Sequence, residues 1–242
     1  MVGTPKQMDS AARMTKDIND ILFIVQARTN SERVPNKMLR PFANTNLFDI
    51  CLKKLKQTKI PADNFRASVH EPELEQVVAD NGFLCYNRSH SSANNDNSLQ
   101  EIYEWHNKYD HKYVVIINAC NLFLKPSTID NFIDAYCNSK HEGMFGVIPK
   151  KNYFWNKQGS LQTPWPDSCN IMNTKAVEET YEGAHVLYAG KRDDIAKGYW
   201  MAPAPYTANA PELFEIEEFE SLDIDYEWQF EIYTHYWEKL NG

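Results

Sequence analysis

The first two-thirds of the chain alternates short apolar runs with amphipathic stretches. Runs of apolar, β-branched and aromatic residues are typical of buried strands, and they occur at Ile21–Ala27, Phe65–Val69, Phe83–Tyr86, Tyr113–Asn118 and Met144–Ile148. Between them, apolar residues recur at helical spacing, at Leu47–Gln57, Pro72–Asp80, Ser98–Tyr109 and Ser127–Cys137. Strands that alternate with helices predict an α/β fold with a mainly parallel sheet flanked by helices.

The pattern changes after about residue 150, where residues 150–167 are rich in aromatic residues, proline, glycine and asparagine. A long irregular segment in a compact domain is usually functional or disordered. We predict that residues 150–200 form an excursion that contacts the substrate or, through its aromatic side chains, a second copy in a homodimer. Regular structure is predicted again at Cys169–Asn173, Lys175–Tyr181, Leu213–Ile216 (a strand) and Tyr226–Leu240 (a helix).

The polar residues 1–19 predict a flexible tail, and residues 20–242 a single domain. Of the 242 residues, 43% are hydrophobic and 24% are charged, which suffices for an ordinary core. The formal net charge of −8 argues against binding to a nucleic-acid polymer, which selects a basic surface. No apolar stretch approaches the ~20 residues that cross a bilayer, so no membrane partner is expected.

The five cysteines are widely spaced and include no C-x-x-C pair. This pattern argues against a zinc site or a disulfide framework. Reduced, mostly buried cysteines are typical of an intracellular protein, so we expect a cytoplasmic location.

The loop Ala27–Leu39, directly after the first predicted strand, concentrates basic residues. Ligands of open α/β sheets bind at the carboxyl ends of the strands. Arg28 could bind phosphate oxygens bidentately, Lys37 could act as a point charge, and Ser31 with backbone N–H groups could complete an anion site. We interpret the loop as a phosphate cradle. The alternative is a solvated loop whose cations meet surface carboxylates.

Two further groups of polar residues suit nucleotide chemistry. Asp223 and Asp225 alternate on an extended stretch before the last helix, so their carboxylates point the same way and could hold Mg²⁺ together with phosphates and water. Alternatively, Asp225 only caps the helix. Asn118 and Asn121 follow the fourth predicted strand and could bind a base or a sugar edge, or could simply form a turn.

These pieces, in this order, resemble the cytidylyltransferases that make CMP-activated acidic sugars, of the acylneuraminate and KDO type, including the spore-coat polysaccharide branch. The family loop A-R-x-x-S-x-R/G-x-P-x-K is matched at Ala27, Arg28, Ser31, Pro35 and Lys37, and Gln26 completes the Q-A-R of the spore-coat branch. The segment Ser221–Asp225 resembles the family's metal-binding segment, and the similarity runs roughly from Ile21 to Lys239.

The resemblance implies a Rossmann-like nucleotide-diphospho-sugar transferase fold. It implies transfer of CMP from CTP to an acidic sugar, sialic acid-like or KDO-like, with Mg²⁺ as cofactor and pyrophosphate as product. The implied catalytic residues are Arg28, Lys37 and Asp225, and the implied metal ligands are Asp223 and Asp225. The implied nucleotide-binding residues are Ala27, Arg28, Ser31, Arg33, Lys37, Arg88 and Asn118. The implied sugar-binding residues are Asn121, Trp155 and Asn170.

The chain departs from the family pattern inside the loop. Thr29 and Asn30 stand where the family often has two glycines, which would let the backbone approach a ligand closely, and Glu32 places an anion beside the cradle. Two alternatives therefore stay open: a catalytically weakened or inactive nucleotide-binding relative, and a transferase of the same fold that uses another nucleotide or another acceptor.

Overall fold

A computed structural model describes residues 15–95, 97–201 and 211–241. Within these ranges seven strands form one sheet. The strands are β1 (Ile21–Gln26), β2 (Phe65–Val69), β3 (Cys85–Asn87), β4 (Tyr113–Asn118), β5 (Met144–Lys150), β6 (Thr180–Lys191) and β7 (Glu212–Glu215). The helices are α1 (Leu47–Leu55), α2 (Pro72–Asp80), α3 (His90–Asn94), α4 (Leu99–Ile102), α5 (Pro126–Asn138), α6 (Arg192–Ala196) and α7 (Glu227–Asn241).

The sheet has the strand order β3-β2-β1-β4-β6-β5-β7, and β6 is the one described strand that runs against the others. β1 pairs in parallel with β2 and β4, β2 with β3, and β5 with β7. β6 is antiparallel to both of its neighbours, β4 and β5. The predicted α/β fold with a mainly parallel sheet is confirmed.

The first strand is buried on both faces, as expected for the centre of a parallel sheet. Ile21 to Val25 are all fully buried. The odd-numbered residues of β1 pack into the larger apolar core with α1, α2 and α5. Leu22 and Ile24 pack into a smaller core on the opposite face, with Trp105 and Trp200. Helices and turns therefore cover both faces of the sheet.

The carboxyl ends of β1 and β4 coincide, because Gln26 pairs with Asn118 in the sheet register. The connection that follows β4 is held by hydrogen bonds from a lysine of α1. The Nζ atom of Lys54 lies 2.6 Å from the carbonyl oxygen of Asn121 and 2.9 Å from that of Leu122. The loops after β1 and β4 thus leave the sheet side by side at one edge, in fixed positions.

The helix predicted over Ser98–Tyr109 is wrong. Tyr103 leaves the helical region, with φ −107° and ψ 38°, and divides the segment into α4 and a 3-10 turn at Glu104–Asn107. The interruption lets Trp105 turn fully into the smaller core. Burial of this indole decides against helical continuity, which the apolar spacing alone favoured.

The strand β6 was not predicted, and it occupies part of the region 150–200 that we expected to lie outside the sheet. A bulge interrupts its pairing with β5, and His185 adopts a φ of 53°. Because of this break, buried and exposed side chains do not alternate regularly along β6, and the sequence pattern of a strand is lost. In the stretches predicted to be regular at Cys169–Asn173 and Lys175–Tyr181, the structure has only the turn Thr174–Ala176 and the first residues of β6.

The predicted tail is only partly open to description, since residues 1–14 lie outside the described residues. Of the remainder, Thr15 donates its amide to the carbonyl oxygen of Cys137 at 2.9 Å. Lys16 is buried, and its Nζ atom donates to the carbonyl oxygen of Ser139 at 2.7 Å. Residues 15 and 16 therefore belong to the folded domain rather than to a flexible tail.

Two features bear on compartment and partners. All five cysteines are free thiols. Among the described residues, the helices are too short or too polar to cross a bilayer.

Replacement of Lys54 by methionine tests how strongly the connection after β4 is fixed. Lys54→Met leaves the carbonyl oxygens of Asn121 and Leu122 without their charged donor, so we expect a loss of about 2 kcal/mol in the free energy of unfolding. Urea denaturation measures it. The control is Lys53→Met, which removes an exposed i,i+4 ion pair with Asp49 and should cost less than about 0.5 kcal/mol. Equal effects of the two variants would contradict the expectation.

Candidate functional site

A cleft of about 430 Å³ opens at the carboxyl ends of β1 and β4. It collects predicted site residues from four separate parts of the chain. These are Ala27, Arg28, Ser31, Arg33, Lys37, Arg88, Asn118, Asp223 and Asp225. The convergence follows from the sheet, because the loops after parallel strands emerge at the same edge.

Lys37 is a buried cation of the cleft, with 8% of its surface exposed. Its Nζ atom donates to the carbonyl oxygen of Ile224 at 2.5 Å and lies 3.4 Å from Oδ1 of Asp223. Burial alone would lower the pKa of Lys37, but Cys120, Asp223 and Asp225 outweigh it and raise the pKa above its ordinary value of 10.5. The lysine therefore stays charged at neutral pH and ties the first loop to the chain before α7.

The second ion pair of the cleft joins Arg33 and Asp225, whose side-chain atoms lie 2.6 Å apart. The segment that carries both aspartates is fixed on each side. The side-chain amide of Asn121 donates to the carbonyl oxygen of Ser221 at 2.9 Å. Gln229, in the first turn of α7, accepts from the amide of Asp225 at 2.7 Å. The cradle's cations and the two carboxylates thus neutralise each other across the cleft.

Arg88 forms the floor of the cleft beside β1 and is 6% exposed. Its Nη2 atom donates to the carbonyl oxygen of Ala27 at 2.7 Å. Burial lowers the pKa of Arg88 to about 10, so the guanidinium remains charged at neutral pH. No described residue accepts a hydrogen bond from its buried Nε atom. A buried charge of this kind favours an anionic ligand.

Thr29, which replaces a small residue of the family pattern, is held by Glu71. Oε1 of Glu71 accepts from the amide of Thr29 at 3.0 Å and from its hydroxyl at 2.8 Å. Burial alone would raise the pKa of Glu71, but these bonds outweigh it and hold the pKa below the ordinary value of 4.5. Sequence reasoning missed Glu71, although its position directly before the Pro72 that begins α2 places it near the carboxyl edge.

The border of the cleft includes two carboxamides from neighbouring strands. Asn118 donates to the carbonyl oxygen of His185 at 2.8 Å and accepts from the amide of Cys120 at 2.9 Å. Gln26 donates to the carbonyl oxygen of Ile102 at 3.0 Å. Gln26 was not predicted as a site residue, but strand alternation puts it on the same face as Leu22 and Ile24, above the smaller core. These hydrogen bonds hold the side chains of Asn118 and Gln26 in fixed positions at the rim of the cleft.

The three residues predicted to bind a sugar do not line the cleft. Asn121 is 1% exposed, and its amide is used to hold Ser221, so the prediction that it reaches a ligand is corrected to a structural role. Trp155 and Asn170 lie in the irregular connection between β5 and β6 and are exposed. Trp155 forms a bridge with Leu161 inside that connection.

The two aspartates fit a magnesium ion that arrives with a substrate. Mg²⁺ commonly takes one or two carboxylates and completes its shell with phosphate oxygens and water. Asp223 and Asp225 supply two carboxylates on one wall of the cleft. The described residues contain no group of three or more side chains that could hold a metal by themselves. The donor set therefore suits a metal–phosphate complex better than a resident ion.

Comparison with known proteins points to one family. The family model described as cytidylyltransferase matches residues 22–236. The spore coat polysaccharide biosynthesis protein SpsF of Bacillus subtilis is 22% identical over 230 residues, which cover 87% of this chain and 88% of SpsF.

Solved structures show the same fold. A CMP:2-keto-3-deoxy-manno-octonic acid synthetase complexed with CTP superposes with a TM-score of 0.64 at 13% identity, covering 90% of this chain and 98% of the synthetase. A 4-diphosphocytidyl-2C-methyl-D-erythritol synthase from Anaerococcus prevotii superposes with a TM-score of 0.61 at 11% identity, covering 91% and 98% of the two chains.

The ion pairs of the cleft predict how Asp225 affects binding of a bare polyanion. Without metal, Asp225 competes with phosphate for Arg33. Asp225→Asn should therefore bind inorganic tripolyphosphate more tightly in EDTA, by up to about fivefold, since an exposed ion pair contributes at most about 1 kcal/mol. Calorimetry measures it. The matched control is Asp134→Asn on α5, which breaks an exposed ion pair with Lys59. Weaker binding by Asp225→Asn would refute the competition.

The Thr29–Glu71 contact predicts a pH dependence of stability. Because the folded pKa of Glu71 lies below 4.5, its contribution is present above that pH and is lost as pH falls through the folded pKa. Glu71→Gln should therefore lose less stability than the wild type when urea denaturation is compared between about pH 5 and about pH 3. Glu73→Gln, an exposed change on α2, should keep the wild-type slope. Parallel slopes for all three proteins would count against the contact.

Proposed function

The chain belongs to the cytidylyltransferase family, and from this premise we propose that it transfers CMP from CTP to a hydroxyl group of a sugar, with Mg²⁺, and releases pyrophosphate. The observation that supports the proposal most is the cleft itself. Four cations, Arg28, Arg33, Lys37 and Arg88, line the cleft together with three carboxylates, Glu32, Asp223 and Asp225. That is the set of charges that a nucleoside triphosphate and its metal require.

Binding of the triphosphate would exchange one set of ion pairs for another. Arg33 and Lys37, now paired with Asp225 and Asp223, would turn to phosphate oxygens. The two aspartates would then be free to hold Mg²⁺, which would neutralise charge on the phosphates. Arg28, whose Nη1 atom lies 3.3 Å from the carbonyl oxygen of Ala93, would bind phosphate from the nucleotide side of the cleft.

The reaction needs no protein nucleophile. The oxygen of the acceptor hydroxyl forms a bond to the α-phosphorus, the bond from that phosphorus to the bridging oxygen breaks, and pyrophosphate leaves with the bond's electron pair. The hydroxyl proton is released to solvent. Such transfers are accelerated mainly by positioning and by neutralisation of charge. Lys37, buried and fixed by Ile224 and Asp223, is the best-positioned cation of the cleft for that purpose.

The alternative of an inactive relative rests on Thr29, Asn30 and Glu32. Glu71 supplies Thr29 with partners for both its amide and its hydroxyl. These two hydrogen bonds fix the backbone of the loop at a position where the family often has glycine. This contact favours an intact nucleotide site over a decayed one.

Two finer points stay predictions, a homodimer and a cytoplasmic location. The class of acceptor stays open between the acidic sugar that the family resemblance implies and a neutral sugar, which is favoured by an adjoining pocket whose described lining carries no charge. An acceptor panel for the assay must contain both classes.

The proposal is tested by calorimetry with CTP and Mg²⁺, followed by pyrophosphate release with each of the four nucleoside triphosphates. We expect binding of CTP and a preference for CTP over UTP. Asp225→Asn should lose metal-dependent turnover at least about 100-fold with an unchanged melting temperature. Asp134→Asn should retain full activity. No detectable CTP binding by the wild type would overturn the proposal. Full turnover by Asp225→Asn would show that Asp225 does not bind the metal and only caps α7.

A further inference from the structure

A second pocket of about 370 Å³ adjoins the nucleotide cleft and shares Gln26 and Asn118 with it. It lies over the smaller core, on the face of the sheet that carries Ile116. We call it the aromatic pocket, because its walls include Tyr103, Tyr188 and Trp200, beside Leu99, Ile116 and Met201.

We infer that the aromatic pocket binds the ring of the acceptor sugar, and that the acceptor is a neutral sugar with an apolar face, such as a deoxy or N-acetylated sugar. The inference rests on the proposed cytidylyl transfer for its role. The observations that support it are the pocket's lack of charge, its aromatic walls and its border with the phosphate-binding cleft.

The lining of the pocket contains no charged residue among those that the structure describes. An ionised carboxylate that leaves water for such a site has no partner, and its transfer is unfavourable. The four cations of the cleft face a triphosphate, which carries about as many negative charges. A carboxylated acceptor would therefore lack a counter-ion on this side.

The walls of the pocket suit a sugar that has an apolar face. Binding sites for small molecules combine apolar and aromatic walls with a few polar groups that fix orientation. The rings of Tyr103 and Trp200 meet edge to face, with centroids 6.2 Å apart, and form a fixed corner. Gln26 and Asn118 are the polar groups at the rim. A ring lying against the corner would turn its hydroxyl groups toward the rim.

Tyr188 links the pocket to the reacting end of the cleft. Burial raises the pKa of its hydroxyl, and the nearby Tyr103, Asp223 and Cys120 raise it further. Its hydroxyl lies 3.3 Å from Nδ1 of His185. Asp223 and Cys120 line the nucleotide cleft, whereas Tyr188 lines the aromatic pocket. A sugar in the pocket would present a hydroxyl to the α-phosphate from this side.

Saturation-transfer NMR without nucleotide tests the inference on the full chain. The probes are a 6-deoxyhexose and an N-acetylhexosamine, compared with N-acetylneuraminate and KDO. We expect binding of at least one neutral probe in the millimolar range, strongest at its methyl protons, and none of the acidic probes. Tyr188→Ala should weaken the neutral probe by about tenfold. Trp228→Ala, which changes an exposed aromatic outside the pocket, should bind like the wild type.

Leu99→Arg provides a second variant in case Tyr188→Ala does not fold. Leu99 is half-buried at the start of α4, and an arginine there adds the missing cation. It should admit an acidic probe and weaken the neutral one. The inference is overturned if no neutral probe binds, if acidic probes bind the wild type more tightly, or if Trp228→Ala has the larger effect. Because no nucleotide is present, these outcomes are independent of the CTP calorimetry that decides the proposed function.

Discussion

The site depends on one contact, the burial of Lys37 against the segment that precedes α7. The side chains of Lys37 and Asp223 meet across 186 positions of sequence. A buried ammonium must be neutralised and hydrogen-bonded, and here the carbonyl oxygen of Ile224 and the carboxylate of Asp223 do both. This requirement brings the aspartates to the cradle. It also pairs cations with the carboxylates from which a metal–triphosphate complex would separate them.

The sheet decides where this contact can form. β1 and β4 are parallel and end in register, so the loops that follow them open at one edge. Lys54 holds the second of these loops from α1, and Asn121 then holds Ser221. The reversed strand β6 lies next to β4 and supplies His185, whose carbonyl oxygen fixes Asn118. The walls of the cleft are thus attached to α1, to β6 and to the segment before α7.

Much of this arrangement could be predicted from the sequence, and the failures have local causes. Apolar runs and helical spacing located most strands and helices, and the loop after β1 indicated the cleft. The break at Tyr103 and the strand β6 were missed, because burial of Trp105 and the bulge at His185 override local periodicity. The role of Asn121 was misjudged because a carboxamide near a strand end can bind either a ligand or the backbone, and local sequence does not distinguish the two.

The loop's departures from its family are best understood together with their neighbours. A glycine pair offers close approach at the cost of conformational freedom. Thr29 gives up close approach and instead donates two hydrogen bonds to the carboxylate of Glu71. The carboxylate of Glu71 and the guanidinium of Arg88 lie near enough to influence each other's pKa, so the same acid orders the loop and balances the buried cation beneath it. With its charges matched internally in this way, the cleft suits a polyanion, and the pocket inferred for the acceptor lies beside it with no charge in its described lining.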